Sequence, residues 1–394
     1  MAALIGSGFP KKMVFVLSSN FARGAKIVSE AKVTAIPLPY LGRLAKVRDS
    51  LARERIDALL VSSLPNVHYL TGFTGSAGAL LVSLTNSSLF TDSRYDLQAH
   101  QEVNTSHVKI VKGEAFIAAA KLARRKRVGR LGLEGDSVTF KAFQRLRELV
   151  PNQRLVPVAG LVESLRIEKD EEEIEQIRKA VDVGSKAFSE TLRLIRPGMS
   201  ELEVAAEIEY RMKLYGAERP AFETIVAAGS RAALPHARPG TRPLRVNEFL
   251  LMDLGAILGG YNGDMTRTVF LGKAPRKAAH MYRAVLEAQL EAEQTVRAGV
   301  KCSAVDKAAR TVLDRYGYGA YFTHSTGHGV GREIHEAPRI AAKQPLRLPE
   351  RAVITVEPGV YIPDYGGVRI EDVVVVRKQG PEVLTATPKE LTVL

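Results

Sequence analysis

The sequence predicts two domains in 394 residues. Residues 1–165 read as an α/β domain, a mixed sheet with helices. Residues 166–394 read as an α+β domain with an internal pseudo-twofold repeat. Three observations carry this. Short apolar strands alternate with helical periodicity over the first part. A capped, acidic helix start stands at the junction. A segment of the second part then recurs 101 residues later. The length suffices for two cores of ordinary size.

Taken in order, an apolar helix is expected around Leu41–Arg55, followed by the strands ALLVSS, AGALLVSL and SSLFTDS, the helix FIAAAKLARR and the strand VGRLGLE. The boundary falls in LRIEKDEEEIEQIRKA. There Asp170 can cap a helix with Glu173 three residues on, and the acidic first turn suits the helix dipole. Long helices and the strands NEFLLMDLGA, TRTVFL, AVITVEPGVY and EDVVVVR follow. In the repeat, IRPGMSELEVAAEIEYRMKLYG from Ile195 matches VRAGVKCSAVDKAARTVLDRYG from Val296. Arg196, Gly198, Val204, Tyr215 and Gly216 meet Arg297, Gly299, Val305, Tyr316 and Gly317. Each copy runs into a hairpin, so two copies of one α/β unit are expected to bury their open faces on each other.

Composition narrows the function. Hydrophobic residues at 45% and charged residues at 25% fit a globular chain. No apolar run approaches the ~20 residues of a membrane span. The run MVFVL is shorter than the roughly 7–15 residues of a secretory h-region. The single cysteine, Cys302, allows no internal disulfide and favours a reducing compartment, so a cytoplasmic protein is expected. The net charge of +13 is uneven: residues 1–165 hold 23 Lys/Arg against 12 Asp/Glu, residues 166–394 hold 33 against 31. The densest basic run, ARRKRVGR from Ala123 to Arg130, has no nucleic-acid-binding signature beside it. It reads as a solvated helix end, and neither a nucleic acid nor a membrane is expected as partner.

The repeat gives four acids a meaning. Asp253 ends the apolar run FLLM and Glu357 ends VITV, so each stands where a buried strand leaves its sheet. Asp253 aligns with Glu357 (DLG, EPG), and Asp264 with Glu371. A buried carboxylate is costly unless paired or metal-bound. Four converging near a twofold axis repel one another unless cations lie between them, and two divalent ions answer that need. Ion pairs with Arg267 and Arg369 are the competing explanation, disfavoured because both acid pairs recur at matching repeat positions. The stretch THSTGHGVGREIH, residues 323–335, holds three of the eight histidines. It supplies an imidazole, and its glycines allow close backbone approach. In extended backbone His324 and His328 face one side. Oxygen ligands with one imidazole suit Mn²⁺, Co²⁺ or Zn²⁺.

The ordered set Asp253, Asp264 (in DLGAILGGYNGDMTRT), His328 (in STGHGVGREIHE), Glu357 (in TVEPGVY) and Glu371 (in GGVRIEDVV) resembles the pita-bread metallopeptidases. The resemblance runs from about residue 40 to the end and is nearest to the Xaa-Pro aminopeptidase (aminopeptidase P) and prolidase branch. NVHYLTGFTGSAGALLV and LFTDSRYDLQA look like that branch's creatinase-like accessory domain. The opening ~35 residues match nothing in it. The resemblance implies two divalent metals, Mn²⁺ first, with Co²⁺ or Zn²⁺ as alternatives. Asp253 would chelate one metal, His328 and Glu357 would complete the other, and Asp264 and Glu371 would bridge both. Glu357 would carry the proton to the leaving nitrogen. His236, His324 and His335 would line the cleft as catalytic residues, and Arg369 and Thr266 would orient the bridging carboxylates. The expected substrate is a peptide with proline in second position, cut by an aminopeptidase. A dipeptidase (prolidase) is the alternative, with Arg332 or Arg369 as candidate clamps for the substrate carboxylate. A metal-free binding paralogue is a lesser one, since no ligand is missing. A homodimer or homotetramer is implied by the same resemblance.

Overall fold

The computed structural model describes residues 38–150 and 154–394. Residues 1–37, and with them the MVFVL run, lie outside the described residues.

The first part builds one six-stranded mixed sheet. Its strands are β1 (Ala58–Val61), β2 (Ala79–Ser83), β3 (Ser87–Thr91), β4 (His107–Ile110), β5 (Leu131–Glu134) and β6 (Leu155–Val158), in the order β4-β3-β2-β1-β5-β6. β2 runs antiparallel to β1 and β3, and the remaining pairs are parallel. Around it lie α1 (Leu38–Arg53), α2 (Leu64–Thr71), α3 (Asp96–Glu102), α4 (Ala115–Arg125), α5 (Phe140–Leu149) and α6 (Leu161–Arg166). Side chains alternate across the pleat. Leu59, Val61, Leu80 and Val82 pack with α1, α2 and α6 on one face, through Leu44, Leu70 and Val162. Ala58, Leu60 and Leu81 pack with α4 and α5 on the other, through Ala119, Ala123 and Leu146. The predicted α1, β1, β2, β3, α4 and β5 are present. The short elements α2, α3, α5, α6, β4 and β6 were not anticipated. β4 reads HVKI and alternates only between exposed and half-buried positions, so it offers no apolar stripe to read.

The junction helix α7 (Glu171–Leu192) starts where expected. The Asp170 carboxylate accepts from Glu173 N at 2.9 Å and the Glu173 carboxylate from Asp170 N at 3.1 Å, a complete capping box. The first repeat unit follows as α8 (Glu201–Leu214), β7 (Arg219–Pro220), β8 (Ile225–Ala228), β9 (Glu248–Leu254), β10 (Ala256–Leu258), β11 (Tyr261–Asn262) and β12 (Met265–Leu271). After α9 (Arg276–Thr295), the second comprises α10 (Cys302–Arg315), β13 (Gly327–Gly329), β14 (Glu336–Ile340), β15 (Val353–Val356), β16 (Gly359–Ile362), β17 (Gly366–Arg369), β18 (Asp372–Val376) and β19 (Pro381–Val383). α8 and α10 begin 101 residues apart, as the repeat requires. Each unit carries a hairpin of two long antiparallel strands, β9 with β12 and β15 with β18.

Strand register decides what faces inward. Leu250, Met252 and Leu254 of β9 join the core under α7 and α8. Phe249 and Leu251 point the opposite way, into the core shared with α9 and α10. Period-two alternation then turns Asp253 toward the inner face of the hairpins.

Candidate metal centre

The four acids leave their strands at matching ends. Asp253 is the penultimate residue of β9, and Asp264 directly precedes β12. Glu357 directly follows β15, and Glu371 directly precedes β18. The hairpins are pinned together where the acids meet, because Glu371 N donates to Thr266 O at 3.1 Å. Ligand atoms of Asp264, His328 and Glu371 all lie within 4.8 Å of one another. His328 Nε2 stands 3.7 Å from Asp264 Oδ2 and 3.4 Å from Glu357 Oε1. All of these, with Asp253, line one cavity of about 890 Å³.

Glycines make the approach of His328 feasible. A Cβ on Gly327 would lie 2.0 Å from Thr355 O, and one on Gly329 would lie 2.2 Å from Ala337 O. β13 can therefore be held between β14 and β15 only by glycines on either side of His328. His328 Nδ1 donates to Gly329 O at 3.0 Å, and burial drops the ring's pKa to about 4. The neutral ring thus aims an Nε2 lone pair at carboxylate oxygens.

The electrostatics point to a cation. Burial is the main cause holding the carboxyls of Asp264 and Glu371 well above their usual range, and their mutual charge with Asp253 and Glu357 adds to it. Burial pushes Glu357 up to about 8 even though Arg369 opposes the shift. Arg369 donates to Asp253 Oδ2 at 2.5 Å, so the ion pair weighed against a metal does exist. It uses only one oxygen: Asp253 Oδ1 is buried with no hydrogen-bond partner among the described residues. An orphaned carboxylate oxygen, an imidazole lone pair and clustered acids together fit divalent cations.

Around the acids, Thr266 Oγ1 donates to Glu371 Oε2 at 2.6 Å and accepts from Arg369 Nε at 3.1 Å. Arg369 therefore touches Asp253 directly and Glu371 only through Thr266. Its Nη1 donates to Tyr361 Oη at 2.8 Å. His324 Nδ1 donates to Ser325 O at 2.8 Å, which leaves Nε2 to accept from the Tyr361 hydroxyl at 2.8 Å. Burial and the Arg369 charge lower His324 to about 4. His324 and His328 do not lie along one extended strand, because β13 begins only at Gly327. His335 is exposed, its ring 4.3 Å from that of His328, and His236 lines the same cavity.

Two expectations about arginines are corrected. Arg332 does not line the cleft: its guanidinium lies 4.1 Å over the Tyr261 ring and bonds His68 Nδ1 at 2.7 Å. Arg369 does line the cavity, but its guanidinium nitrogens are already bonded to Thr266, Pro235, Tyr361 and Asp253. Neither is free to clamp a substrate carboxylate. Arg339, which the sequence reading missed, is exposed and lines the cavity. Tyr361 was missed as well. It lies four residues after Glu357, and only the β16–β17 hairpin folds it back onto His324.

Comparison with known proteins bears on this centre. Residues 175–378 match the model of Metallopeptidase family M24, and residues 43–167 that of the Creatinase/Prolidase N-terminal domain. The chain belongs to the M24 metallopeptidases. It is 37% identical over 352 residues to the uncharacterized peptidase YqhT of Bacillus subtilis, covering 89% of this chain and 100% of that one. Among solved structures, it resembles an Xaa-Pro dipeptidase from Bacillus anthracis with a TM-score of 0.87 at 37% identity, over 90% of this chain and 100% of the other. It also resembles an X-Pro aminopeptidase from Thermotoga maritima MSB8 with a TM-score of 0.82 at 38% identity, over 88% and 100%. The M24 chain is a metal-dependent hydrolase, with the creatinase-type domain ahead of the pita-bread catalytic fold. No helix among the described residues is long and apolar enough to cross a membrane.

Proposed function

We propose that the protein cuts the bond before proline, removing the N-terminal residue from peptides with proline in second position. Residues 166–394 form the catalytic domain in this reading and 1–165 the accessory one. Two divalent ions, Mn²⁺ first and Co²⁺ or Zn²⁺ otherwise, would be held by Asp253, Asp264, His328, Glu357 and Glu371. The observation that carries the reading is the meeting of Asp264, His328 and Glu371 within 4.8 Å, with Asp253 and Glu357 in the same cleft. One Asp253 oxygen there has no hydrogen-bond partner among the described residues, and three further histidines line the cleft. When bound, the ions supply Lewis-acid polarisation of the scissile carbonyl and acidify water.

The chain's own residues handle orientation and protons. Glu357, pushed up to about 8 in the bare site, can take and return a proton at a carboxylate oxygen near neutral pH. His324 is fixed as the Nδ1–H tautomer by Ser325 O and Tyr361 Oη, and with His236 and His335 it lines the path of the peptide. Thr266 and Arg369 hold Glu371 and Asp253 in place.

A cavity of about 890 Å³ is near the top of the roughly 300–1,000 Å³ range of small-molecule sites. That supports room for a chain continuing past the proline, hence an aminopeptidase. Arg339 favours a second reading: an exposed arginine lining the cleft suits the free carboxylate of a dipeptide. Relatives carry both names. The test is kcat/KM for an Xaa-Pro dipeptide against the tripeptide one residue longer. A tenfold preference for the dipeptide, about 1.4 kcal/mol, would assign a dipeptidase. A cytoplasmic homo-oligomer completes the proposal, checked by sedimentation and fractionation.

A further inference from the structure

We infer that two acid–arginine pairs, Asp306–Arg310 and Glu201–Arg231, are positioning residues that set His324 and His236 on the cleft, one pair serving each repeat unit. None of the four side chains lines the cavity, so none touches substrate. Asp306, in α10, and Glu201, the first residue of α8, are both completely buried. A carboxylate in that position must be satisfied by donors, and in both cases the donors come from the segment that bears a histidine.

Asp306 Oδ1 accepts from Thr326 N at 3.2 Å and from Thr326 Oγ1 at 2.9 Å. Its Oδ2 accepts from Arg310 Nε at 2.7 Å. The same guanidinium then donates from Nη1 to Phe322 O at 3.1 Å and from Nη2 to His324 O at 2.6 Å, and it lies 4.3 Å from the Phe322 ring centroid. The backbone is therefore held at residues 322, 324 and 326, with His324 at the centre. The other side repeats the device. Glu201 accepts from Ala228 N at 2.9 Å and from Gly240 N at 3.1 Å, the two ends of the segment containing His236. Arg231 Nε bonds both Glu201 oxygens, at 3.1 and 3.0 Å, and its Nη2 donates to Arg238 O, two residues past the histidine.

In each case one planar fork joins a buried acid to one or two backbone carbonyls within two residues of a histidine, a geometry lysine cannot copy. Both segments lie outside regular strands, so without the pairs nothing in a sheet ladder would fix the rings, and a shift of about 1 Å costs catalysis on the order of 10²-fold.

The inference rests on the reading that these histidines act on the substrate, and the experiment separates the two ideas. Arg310 and Arg231 side chains are about a third exposed, so Arg310→Gln and Arg231→Gln should fold. Each is expected to lower the thermal midpoint, because a buried acid loses its cation. In protein still folded at the assay temperature, each should also lower kcat about tenfold with little change in KM or metal content. Arg310→Lys, which keeps the charge but not the fork, should recover midpoint but not kcat. In a His324→Ala background Arg310→Gln should cost less than about twofold further. A full additional tenfold there would overturn the proposal. Independently of activity, ¹⁵N spectra should show His324 as one Nδ1–H tautomer in the wild type and an averaged ring in Arg310→Gln. An unchanged ring would also overturn it. If His324→Ala alone retains full activity, the functional reading of His324 fails, and the spectra still decide whether Arg310 positions it.

Discussion

Arg369 and Asp253 share a hydrogen bond at 2.5 Å that satisfies one carboxylate oxygen and leaves the other, Oδ1, buried with no hydrogen-bond partner among the described residues. A buried acceptor without a donor costs about 1–3 kcal/mol. The guanidinium thus sets the direction of the carboxylate without occupying it. Around that oxygen Asp264, Glu357 and Glu371 are held toward their protonated forms by burial and by one another. The centre is built around missing positive charge.

Metal removal should therefore change how stability depends on pH. A carboxyl whose folded pKa is raised stabilises the fold while protonated. That contribution is complete below its ordinary value and is lost as pH rises through the folded one. For Glu357 the window runs from about 4.5 to about 8. Chelated protein should lose thermal stability as pH rises across that window, whereas Mn²⁺-loaded protein should not. Parallel curves for the two forms would contradict a metal centre here. Activity should vanish on chelation and return with Mn²⁺ or Co²⁺.

Asp264 and Glu371 should matter more than the groups that orient them. Thr266→Ala removes one hydrogen bond to Glu371 and should cost roughly 10–100-fold in kcat/KM, as outer partners of metal ligands do. Asp264→Ala or Glu371→Ala should cost well beyond that and lower the metal content of purified protein. Normal turnover in either would place the chemistry elsewhere.

What was legible in the sequence was whatever leaves a periodic or positional trace. The repeat fixed α8 and α10. Apolar runs ending in an acid located Asp253 and Glu357, and the Asp170–Glu173 spacing located the start of α7. Arg310, Asp306 and Tyr361 left no such trace. Each acts through a contact made only after folding: Arg310 reaches the His324 carbonyl fourteen residues on, and Tyr361 reaches the His324 ring across thirty-seven. Arg332 misled for the same reason. It neighbours the cleft histidines in sequence but folds away onto Tyr261 and His68, the latter contributed by α2.

Arg339 should tell the two substrate classes apart. If it faces a dipeptide carboxylate, Arg339→Ala should raise KM for an Xaa-Pro dipeptide about tenfold or more while leaving an extended peptide within about twofold. Equal effects on both substrates would remove the basis for the dipeptidase reading.

The basic end of α4 should be dispensable for catalysis. Arg124, Arg125 and Arg127 are exposed, and exposed charges contribute within about 1 kcal/mol. Replacing all three by Gln should leave kcat/KM on short peptides within about twofold. A loss beyond tenfold would mean that this surface communicates with the cleft.

The strongest stability effect should come from Glu336. Its carboxylate accepts from Arg166 at 2.5 Å and from Lys169 at 2.6 Å, and both cations are almost completely buried. Burial alone would raise the acid, but Lys169 and Arg166 outweigh it and hold the pKa below the ordinary value. Such a depressed acid stabilises the fold above its unfolded pKa, and that stability is lost as pH falls through the folded one. Arg166 also bonds Asn66 Oδ1 at 2.8 Å, so the cluster ties α2 and α6 to the strand that follows His335. Glu336→Gln would leave the buried Lys169 facing a neutral amide and Arg166 with only the exposed Glu333, 2.8 Å away, as its acid. Removing one partner of a buried pair costs about 3–5 kcal/mol, whereas a surface pair costs less than 1. Chemical denaturation at pH 7 should show the larger loss, and the wild-type advantage over Glu336→Gln should shrink as pH is lowered below about 4.5. An advantage that stays constant with pH would mean that the Glu336 charge does not hold these elements together.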